Sequence, residues 1–435
     1  MKLHWQILIA LALAVVVGSF THSINQVSGF DLTSIYEFFG AMFLNALKMI
    51  IVPLIVSSII VGIASIEQDG SFARMGSKTL IYYVATSTIA ITIGLFLVMV
   101  FQPGLIDDVP AKDVLGLHAD TEKVTEKVGD AGAGDVAGIF LRMIPPNIIH
   151  AAAQGQMLGL IFFSLLFGYF IAQLKNELKQ NMQNFFEGMF EVMMKITDLI
   201  MRFAPLGVFA LVANIVASSG LEVFIPLAKF FFVVLAALAT HMFIVMPILL
   251  RIVGRVKPGK HFSAMSPALL TAFSTSSSSA TLPVTLDCVQ DRAGVSNRTS
   301  SFVLPLGATI NMDGTSLYQA VAAVFIMQVL WPEGLTFSNQ LYIVLTALLA
   351  SIGSAAVPGA GMVMLVIVLE SINFPKDLYP VALALIFAVD RPLDMCRTVI
   401  NVTGDATVST VVAKSVGKLG EPNPKEWDDH YEEVK

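Results

Sequence analysis

The chain has 435 residues, of which 55% are hydrophobic and 13% are charged. Soluble globular proteins carry roughly twice that share of charged residues, so the composition excludes a soluble domain and predicts an all-α membrane protein. The net charge of −6 comes from two acidic stretches, 102–140 and 421–435, and no basic patch indicates a nucleic-acid partner. The two cysteines form no metal-binding or disulfide pattern.

Six apolar segments in the first 260 residues are long enough to cross a lipid bilayer. Their predicted limits are 5–22, 36–65, 79–101, 148–173, 196–218 and 225–250. Lysines and arginines lie in alternate connections, which by the positive-inside rule places the N-terminus in the cytoplasm and the acidic connection outside. We expect a multi-pass protein of the cell membrane with both termini cytoplasmic.

Beyond residue 260, small or polar residues interrupt the apolar segments. The segments 263–286 and 339–372 are broken by small residues, and each precedes a span that carries a polar motif. Broken segments of this length suit re-entrant hairpins, which enter and leave the membrane on one side. The two units would then have inverted topology, a plan that places the binding site at the midplane between the repeats.

The last span, 381–412, carries charged residues in its middle. At about 100° per residue, its polar side chains fall within a sector of roughly 80° of one helix face. They are Asp390, Asp394, Arg397, Asn401 and Asp405. Each charge at the bilayer centre costs about 2.5–3.5 kcal/mol, so this stripe needs compensation. An interhelical salt-bridge stripe is one interpretation, and a polar pathway for small charged ligands is favoured.

The polar motifs suggest a ligand with charges of both signs. Half-helix N-termini at the serine run 276–279 and at 355–361 would favour an anion, although small residues also serve close helix packing. The break at 311–315 offers oxygen ligands suited to Na⁺. Arg397 can pair with a carboxylate and Asp394 with an amine, which together describe an acidic amino acid. His241, alone in its span, is interpreted as a hydrogen-bonded interior histidine.

Several stretches resemble the glutamate/aspartate transporters of the dicarboxylate/amino acid:cation symporter family. They are FSTSSSSATLPVT (273–285), LPLGATINMDGTSLYQA (304–320), AVPGAG (356–361) and DMCRTVINVTGDA (394–406). The stretches 47–65 and 82–87 resemble that family too. The resemblance covers nearly the whole chain outside the acidic connection and the tail.

This resemblance implies a homotrimer of elevator-type secondary transporters, each with eight transmembrane helices and two re-entrant helical hairpins in inverted repeats. A scaffold (1–77 and 141–222) would hold the trimer, and a transport domain (78–104 and 223–418) would slide across the membrane. The range 105–140 would be a flexible extracellular loop and 419–435 a cytoplasmic tail.

The resemblance also implies the site residues. The substrate would be bound by Ser276, Ser277, Ser278, Thr315, Val357, Gly361, Asp394, Arg397, Thr398 and Asn401. Arg397 and Thr315 would take the side-chain carboxylate, Asp394 the amine, and Asn401 with the serine turn the α-carboxylate. One sodium site would use Gly307, Asn311, Asn401 and Asp405, and a second the carbonyls of Thr309, Ser351, Ile352 and Ser354. A third would use Tyr83, Thr86, Ser87, Asn311 and Asp313.

One departure from the family concerns a second pocket arginine, which members often carry at one of two positions. Here those positions are Ser276 and Met395. Asp390 is therefore expected to lack that arginine as a partner, although Arg391 is adjacent in sequence.

The expected function is sodium-coupled symport of L-aspartate and/or L-glutamate into the cell, with no enzymatic activity. The alternatives are proton coupling, transport of C4-dicarboxylates, and, from a different class, an ion channel. Asp394 argues against a substrate without an amine, since its buried carboxylate would stay unpaired. One methylene changes binding too little for the sequence to separate aspartate from glutamate.

Overall fold

The computed structural model describes residues 3–28, 31–64, 70–107, 109–115, 144–154, 156–219, 221–352 and 360–420. Nearly all of this part of the chain is helical. The first half contains α1 (Leu3–Ser28), α2 (Leu32–Ala64), α3 (Gly70–Phe101), α4 (Ala111–Leu115), α5 (Ile148–Ala153), α6 (Met157–Ala172), α7 (Asn176–Arg202) and α8 (Ala204–Ser219). A small antiparallel pair, β1 (Leu105–Ile106) and β2 (Val109–Pro110), lies between α3 and α4.

The second half begins with α9 (Phe224–Gly254), which contains two π-helical turns. Then follow α10 (Pro258–Thr275), α11 (Ser278–Asp287), α12 (Asn297–Ile310), α13 (Asp313–Leu330), α14 (Phe337–Ile352), α15 (Ala360–Ser371) and α16 (Tyr379–Ser415). α10 packs against α11, and α14 packs against α15, so each pair forms a helical hairpin. The predicted interruptions at the serine run and at 311–312 are confirmed. The break in the second hairpin, 353–359, lies outside the described residues.

Within the described residues, two helices are long and apolar enough to cross a membrane by length and composition, Met75–Phe101 and Phe224–Gly254. Shorter apolar helices occur at Ile9–Thr21, Val52–Ala64, Gly159–Ala172, Ala204–Ala217 and Phe337–Ser351. The predicted spans 5–22 and 36–65 lie on the continuous helices α1 and α2, and the predicted span 148–173 lies on α5 and α6, which end at Ala153 and begin at Met157. The helical prediction holds for each of them.

The predicted limits of one span, 196–218, are wrong. The structure places a break at Phe203, between α7 and α8, and α7 begins far upstream at Asn176. Pro205 has no backbone N–H and cannot continue the hydrogen-bond ladder of α7, so the helix restarts at Ala204. The polar residues of α7 hid this helix, because they interrupt the apolar run that the sequence analysis relied on.

Close packing brings the central helices together. α3 packs against α13 at Gly94, where an added Cβ would lie 2.8 Å from Val321 and 3.2 Å from Leu317. At the far end of α3, the Gln328 side chain donates to Val98 O and accepts from Gly104 N, both at 3.0 Å. α16 packs on α10, α12, α13 and α9, which places its polar stripe in the interior.

Candidate functional site

The helix break between α12 and α13 lies in the buried centre of the molecule, where it leaves backbone groups without partners in their own helix. Asn311 has extended backbone angles (φ −101°, ψ 90°), and the next helix begins at Asp313. Gly314 lies directly against α16, since a Cβ added there would come within 3.0 Å of the Arg397 Cα. Only glycine permits this approach, which brings the start of α13 to the polar stripe of α16.

Asn401 joins the two helices at this contact. Its Oδ1 accepts hydrogen bonds from Gly314 N (2.8 Å) and Thr315 N (3.3 Å), and its Nδ2 donates to Thr315 Oγ1 (3.0 Å). The side chain therefore satisfies the first free N–H groups of α13, as a helix cap does, but from a different helix. The structure brings together the predicted residues Thr315 and Asn401.

A second cluster of oxygen-bearing side chains surrounds Asp313. Its Oδ1 accepts from Ser87 Oγ (2.6 Å) and Thr86 Oγ1 (3.2 Å), both on α3. Thr86 Oγ1 also lies 3.5 Å from Asn311 Oδ1, and Asn311 Nδ2 donates to Asp405 Oδ1 (2.9 Å). All five side chains are buried. Residues predicted to bind sodium thus meet in one place from α3, the helix break, α13 and α16.

Tyr83 and Gly307 lie beside this cluster. The Tyr83 hydroxyl donates to Val303 O at 2.9 Å. The Tyr83 hydroxyl and the Asp405 carboxylate both crowd the Cα of Gly307, where an added Cβ would lie 2.8 Å from Asp405 Cγ. The first and third predicted sodium groups are therefore neighbours and share Asn311.

His241 joins the same cluster. Its Nε2 lies 3.2 Å from Asp313 Oδ2, and both side chains have no exposed surface. This confirms the prediction of a hydrogen-bonded interior histidine. Its contact with Asp313 was missed, because 72 residues separate the two in sequence and no motif links α9 to α13.

Arg397 is paired with acidic residues of its own helix. Its Nε donates to Asp394 Oδ1 at 2.9 Å, and its Nη1 lies 3.3 Å from Asp390 Oδ1. Nη2 forms an ion pair with the same oxygen, Asp394 Oδ1, at 2.6 Å. The guanidinium also lies 4.5 Å from the centroid of the Tyr318 ring, within the range of a cation–π interaction.

Asp390 lacks the second pocket arginine, as expected from Ser276 and Met395, but another arginine neutralises it. Asp390 pairs with Arg397 and accepts a hydrogen bond from the Tyr318 hydroxyl at 2.8 Å. Seven residues, or about two helical turns, separate Asp390 from Arg397, so both lie on one stripe and the long side chain spans the distance. Arg391 instead pairs with Asp394 Oδ2 at 3.3 Å. Two arginines and two aspartates thus neutralise one another.

The tip of the first hairpin is tightly turned and buried. Ser276 adopts a left-handed conformation (φ 51°, ψ 31°), and Ser277 Oγ accepts from Ala280 N (3.1 Å) as the cap of α11. Ser278 begins α11. The serine run therefore presents the start of a helix, as the sequence predicts, and Ser276, Ser277 and Ser278 are each at most 6% exposed.

The remaining predicted residues that the structure describes form no hydrogen bond between side chains with the two clusters described above. Gly361 lies against the Arg397 guanidinium, with no space for a Cβ. The hydroxyl groups of Thr398, Thr309 and Ser351 donate to carbonyls of their own helices. Ile352 ends α14, and Val357 and Ser354 lie outside the described residues. The second predicted sodium group thus stays a prediction.

Comparison with known proteins identifies the class to which this buried site belongs. Residues 3–415 match the family described as the Sodium:dicarboxylate symporter family. The chain is 36% identical over 413 residues to a proton/glutamate-aspartate symporter of Escherichia coli K12, covering 95% of this chain and 92% of that protein. It is 33% identical over 425 residues to a proton/sodium-glutamate symport protein of Bacillus caldotenax, covering 98% and 97%.

A human relative is similar to the same extent. Excitatory amino acid transporter 3 of Homo sapiens is 35% identical over 474 residues, covering 95% of this chain and 86% of that protein. The chain therefore belongs to the sodium:dicarboxylate symporter family. The family and these relatives are transporters and not enzymes, which supports a role in transport across a membrane.

The neutralised cluster around Arg397 predicts a large stability effect. Replacing Arg397 with Met removes the guanidinium that pairs with both Asp390 and Asp394, and breaking a buried pair in this way costs about 3–5 kcal/mol. We expect Arg397→Met to unfold at a clearly lower temperature in detergent. Arg251→Met is the control, since Arg251 is exposed and no described acidic residue pairs with it. Equal melting temperatures for the two variants would contradict this assignment.

Proposed function

We propose that this protein carries L-aspartate or L-glutamate into the cell together with Na⁺. The observation that carries the proposal is the meeting of two buried groups at one helix break. One group pairs Arg397 with Asp394, and the other places oxygens around Asp313. The first suits a ligand with a carboxylate and an ammonium, and the second suits a hard cation.

Substrate binding would proceed by exchange of ion-pair partners. Arg397 and Asp394 neutralise each other in the structure. An acidic amino acid offers a side-chain carboxylate for Arg397 and an ammonium for Asp394, so each group would exchange one opposite charge for another. Charge balance in the buried site is thereby preserved, which avoids leaving an unpaired ion in a low-dielectric interior.

The other proposed substrate contacts adjoin this pair. Asn401 and the start of α11 at Ser276–Ser278 would hold the α-carboxylate, because a helix start offers N–H groups to anions. Thr315 is bonded to Asn401 and would complete the contact with the side-chain carboxylate. Thr398, Gly361 and Val357 would close the pocket.

Sodium coupling is supported by the chemistry of the second group. Its members offer carboxylate, amide and hydroxyl oxygens, which are the ligands that hard cations prefer. Asp313 and Asp405 are both buried, and no lysine or arginine of the described residues pairs with either. A bound cation would therefore supply the positive charge that these carboxylates need. Tyr83, Thr86, Ser87, Gly307 and Asn311 would complete the ligand sets.

Proton coupling is the second candidate, since one relative is named a proton/glutamate-aspartate symporter and another a proton/sodium-glutamate symport protein. A proton can neutralise a carboxylate but needs no ring of neutral hydroxyl and amide oxygens around it. The ring around Asp313 therefore favours sodium. A C4-dicarboxylate would leave Asp394 without an amine, and a channel would need no guanidinium fork for a carboxylate.

The proposed movement divides the helices into two groups. α1, α2, α6, α7 and α8 pack extensively on one another and would form the scaffold. α3 and α9–α16 surround the polar stripe and would form the transport domain. Lys78 Nζ donates to Ser415 O (3.1 Å), so the N-terminal half of α3 lies beside the end of α16. This supports a cytoplasmic position for the tail on the side that the positive-inside rule assigns to Lys78.

Trimer formation is supported by an exposed apolar stripe on α7. Its members recur every seven residues and are each more than half exposed: Leu178, Phe185, Val192 and Leu199. At about 100° per residue they lie within roughly 60° of one helix face. A second copy of the chain and lipid are the two surfaces that such a stripe can meet.

The coupling ion is tested in proteoliposomes loaded to impose one gradient at a time. We expect radiolabelled aspartate or glutamate to accumulate under an inward Na⁺ gradient at constant pH. The reason is that Na⁺ must bind to the oxygens around Asp313 before the substrate can bind. A proton gradient in choline medium should leave uptake at the level of empty liposomes. Accumulation under the proton gradient alone would instead establish the proton-coupled alternative.

The amine assignment is tested at Asp394. Asp394→Asn keeps the shape of the side chain but removes the charge that would bind the ammonium. We expect aspartate uptake to fall at least about a hundredfold, in line with a buried charge pair worth several kcal/mol. Asp377→Asn, on the short turn before α16, is a control of the same chemistry outside the site. Retained uptake in Asp394→Asn would refute the assignment.

The oligomeric state is tested by light scattering of the protein in detergent. One chain has a mass of 46.9 kDa, and we expect a protein mass of three chains. Phe185→Ser/Val192→Ser should reduce this mass, whereas Phe232→Ser, at an exposed position of α9, should not. An unchanged mass in the double variant would mean that lipid, and not a second copy, covers the stripe.

A further inference from the structure

His241 lies at an irregular turn of α9. The helix is α-helical over Phe224–Thr240 and changes to a π-turn over His241–Val245. Turns of this kind are frequent at functional sites, and a second one in α9 covers Leu250–Gly254. The His241 ring is completely buried among apolar helices, and the polar partner that it contacts there is Asp313.

The Asp313 carboxylate is held from several directions. Its Oδ1 faces the hydroxyl groups of Ser87 and Thr86 on α3, and its Oδ2 faces His241 on α9. Gly404 on α16 borders Oδ2 as well, because an added Cβ would lie 2.9 Å from that oxygen. The plane of the carboxylate is therefore fixed by groups on its two sides.

The hydrogen bond between His241 and Asp313 has a defined direction. A carboxylate only accepts, so Nε2 carries the proton and donates to Oδ2. Nδ1 has no hydrogen-bond partner among the described residues. The N–H group of His241 is thus committed to one oxygen of Asp313, and the other oxygen stays directed at the hydroxyl groups of α3.

We propose that His241 is a positioning residue for the sodium site at Asp313. Its N–H group holds Oδ2 so that Oδ1 faces the same point as the Thr86 and Ser87 hydroxyl groups and Asn311 Oδ1. This inference rests on the proposed sodium coupling. His241 does not itself bind the ion; its hydrogen bond goes to Asp313, whereas Arg397 and Asp394 pair with each other.

This role predicts a selective defect. Without the N–H group, Oδ2 loses its donor and the carboxylate can rotate, which weakens sodium binding. The Arg397–Asp394 pair keeps its own partners, so substrate affinity at saturating sodium should be preserved. A residue that merely filled space would alter both properties together.

The test compares two replacements of similar length, His241→Gln and His241→Met. Glutamine retains an N–H donor near the position of Nε2, and methionine removes it. His261→Gln and His261→Met are matched controls. His261, on α10, is also buried, but its Nδ1 lies 3.5 Å from Thr410 Oγ1 and makes no hydrogen bond to Asp313. Two quantities are measured on purified protein: thermal stabilisation by NaCl against choline chloride without substrate, and the aspartate Kd by calorimetry at saturating sodium.

We expect His241→Met to raise the sodium concentration for half-maximal stabilisation about tenfold or more, as loss of a hydrogen bond to a charged group implies. His241→Gln should stay within about threefold of the wild type, and so should both His261 variants. The aspartate Kd at saturating sodium should change less than about threefold in all four. If His241→Met does not fold, His241→Asn replaces it, because its amide is too short to reach Oδ2.

Two results would overturn the proposal. Equal sodium dependence of the Gln and Met variants would show that the N–H group is irrelevant, and a matching loss of aspartate affinity would indicate a general packing role. If the wild type itself shows no specific response to sodium, the proposed coupling fails, and the role of His241 fails with it. If the wild type depends on sodium and the His241 variants bind sodium as the wild type does, only the proposed role of His241 is refuted and the sodium coupling stands.

Discussion

Mutual neutralisation of the charges on α16 is the interaction on which the rest of the structure depends. Asp390, Asp394 and Arg397 are each less than 5% exposed, and an isolated charge at such a position would be strongly unfavourable. Their pairing, with Arg391 as the second cation, makes the stripe compatible with an interior of apolar helices. The same pairing allows an exchange of partners, because each charged side chain could pair with a ligand group of opposite charge in place of its present partner.

The surrounding helices are shaped to accommodate this stripe. Glycines at 314 and 361 allow α13 and α15 to approach the backbone and the guanidinium of Arg397. Tyr318 contributes its ring face to the guanidinium and its hydroxyl to Asp390. Close approach, ring stacking and hydrogen bonding therefore converge on one side chain, which explains why the polar stripe lies at the centre of the fold and not at its surface.

Much of this arrangement could be predicted from the sequence. The spacing of Asp390, Asp394, Arg397, Asn401 and Asp405 places them on one face of any helix, and small or polar residues inside apolar runs indicate breaks. Both predictions depend on local geometry alone. The family resemblance, confirmed by comparison, then predicted that α3 would contribute Thr86 and Ser87 beside Asp313.

What could not be predicted depends on side-chain direction and on packing between distant helices. The sequence places Arg391 next to Asp390, but neighbours on a helix point about 100° apart, and Arg397 takes that carboxylate. The contact of His241 with Asp313 needs α9 beside α13, which no local pattern reveals. The break at Phe203 was missed for two reasons. The polar residues of α7 interrupt the apolar pattern, so α7 was not predicted from Asn176, and the effect of Pro205 on the helix was not considered.

The helix break at 311–312 explains how the two halves of the proposed site would act on each other. Asn311 contacts Asp405 on the cation side, while Gly314 and Thr315 are bonded to Asn401 on the substrate side. A cation that draws the oxygens of Asn311, Asp313 and Asp405 together would also fix the start of α13, and with it the backbone that abuts Arg397. Substrate would then bind to a site that is already ordered, and by linkage it would strengthen cation binding to the same degree. A proton could neutralise one carboxylate but could not gather several neutral oxygens around itself, so it would order this break less effectively than sodium.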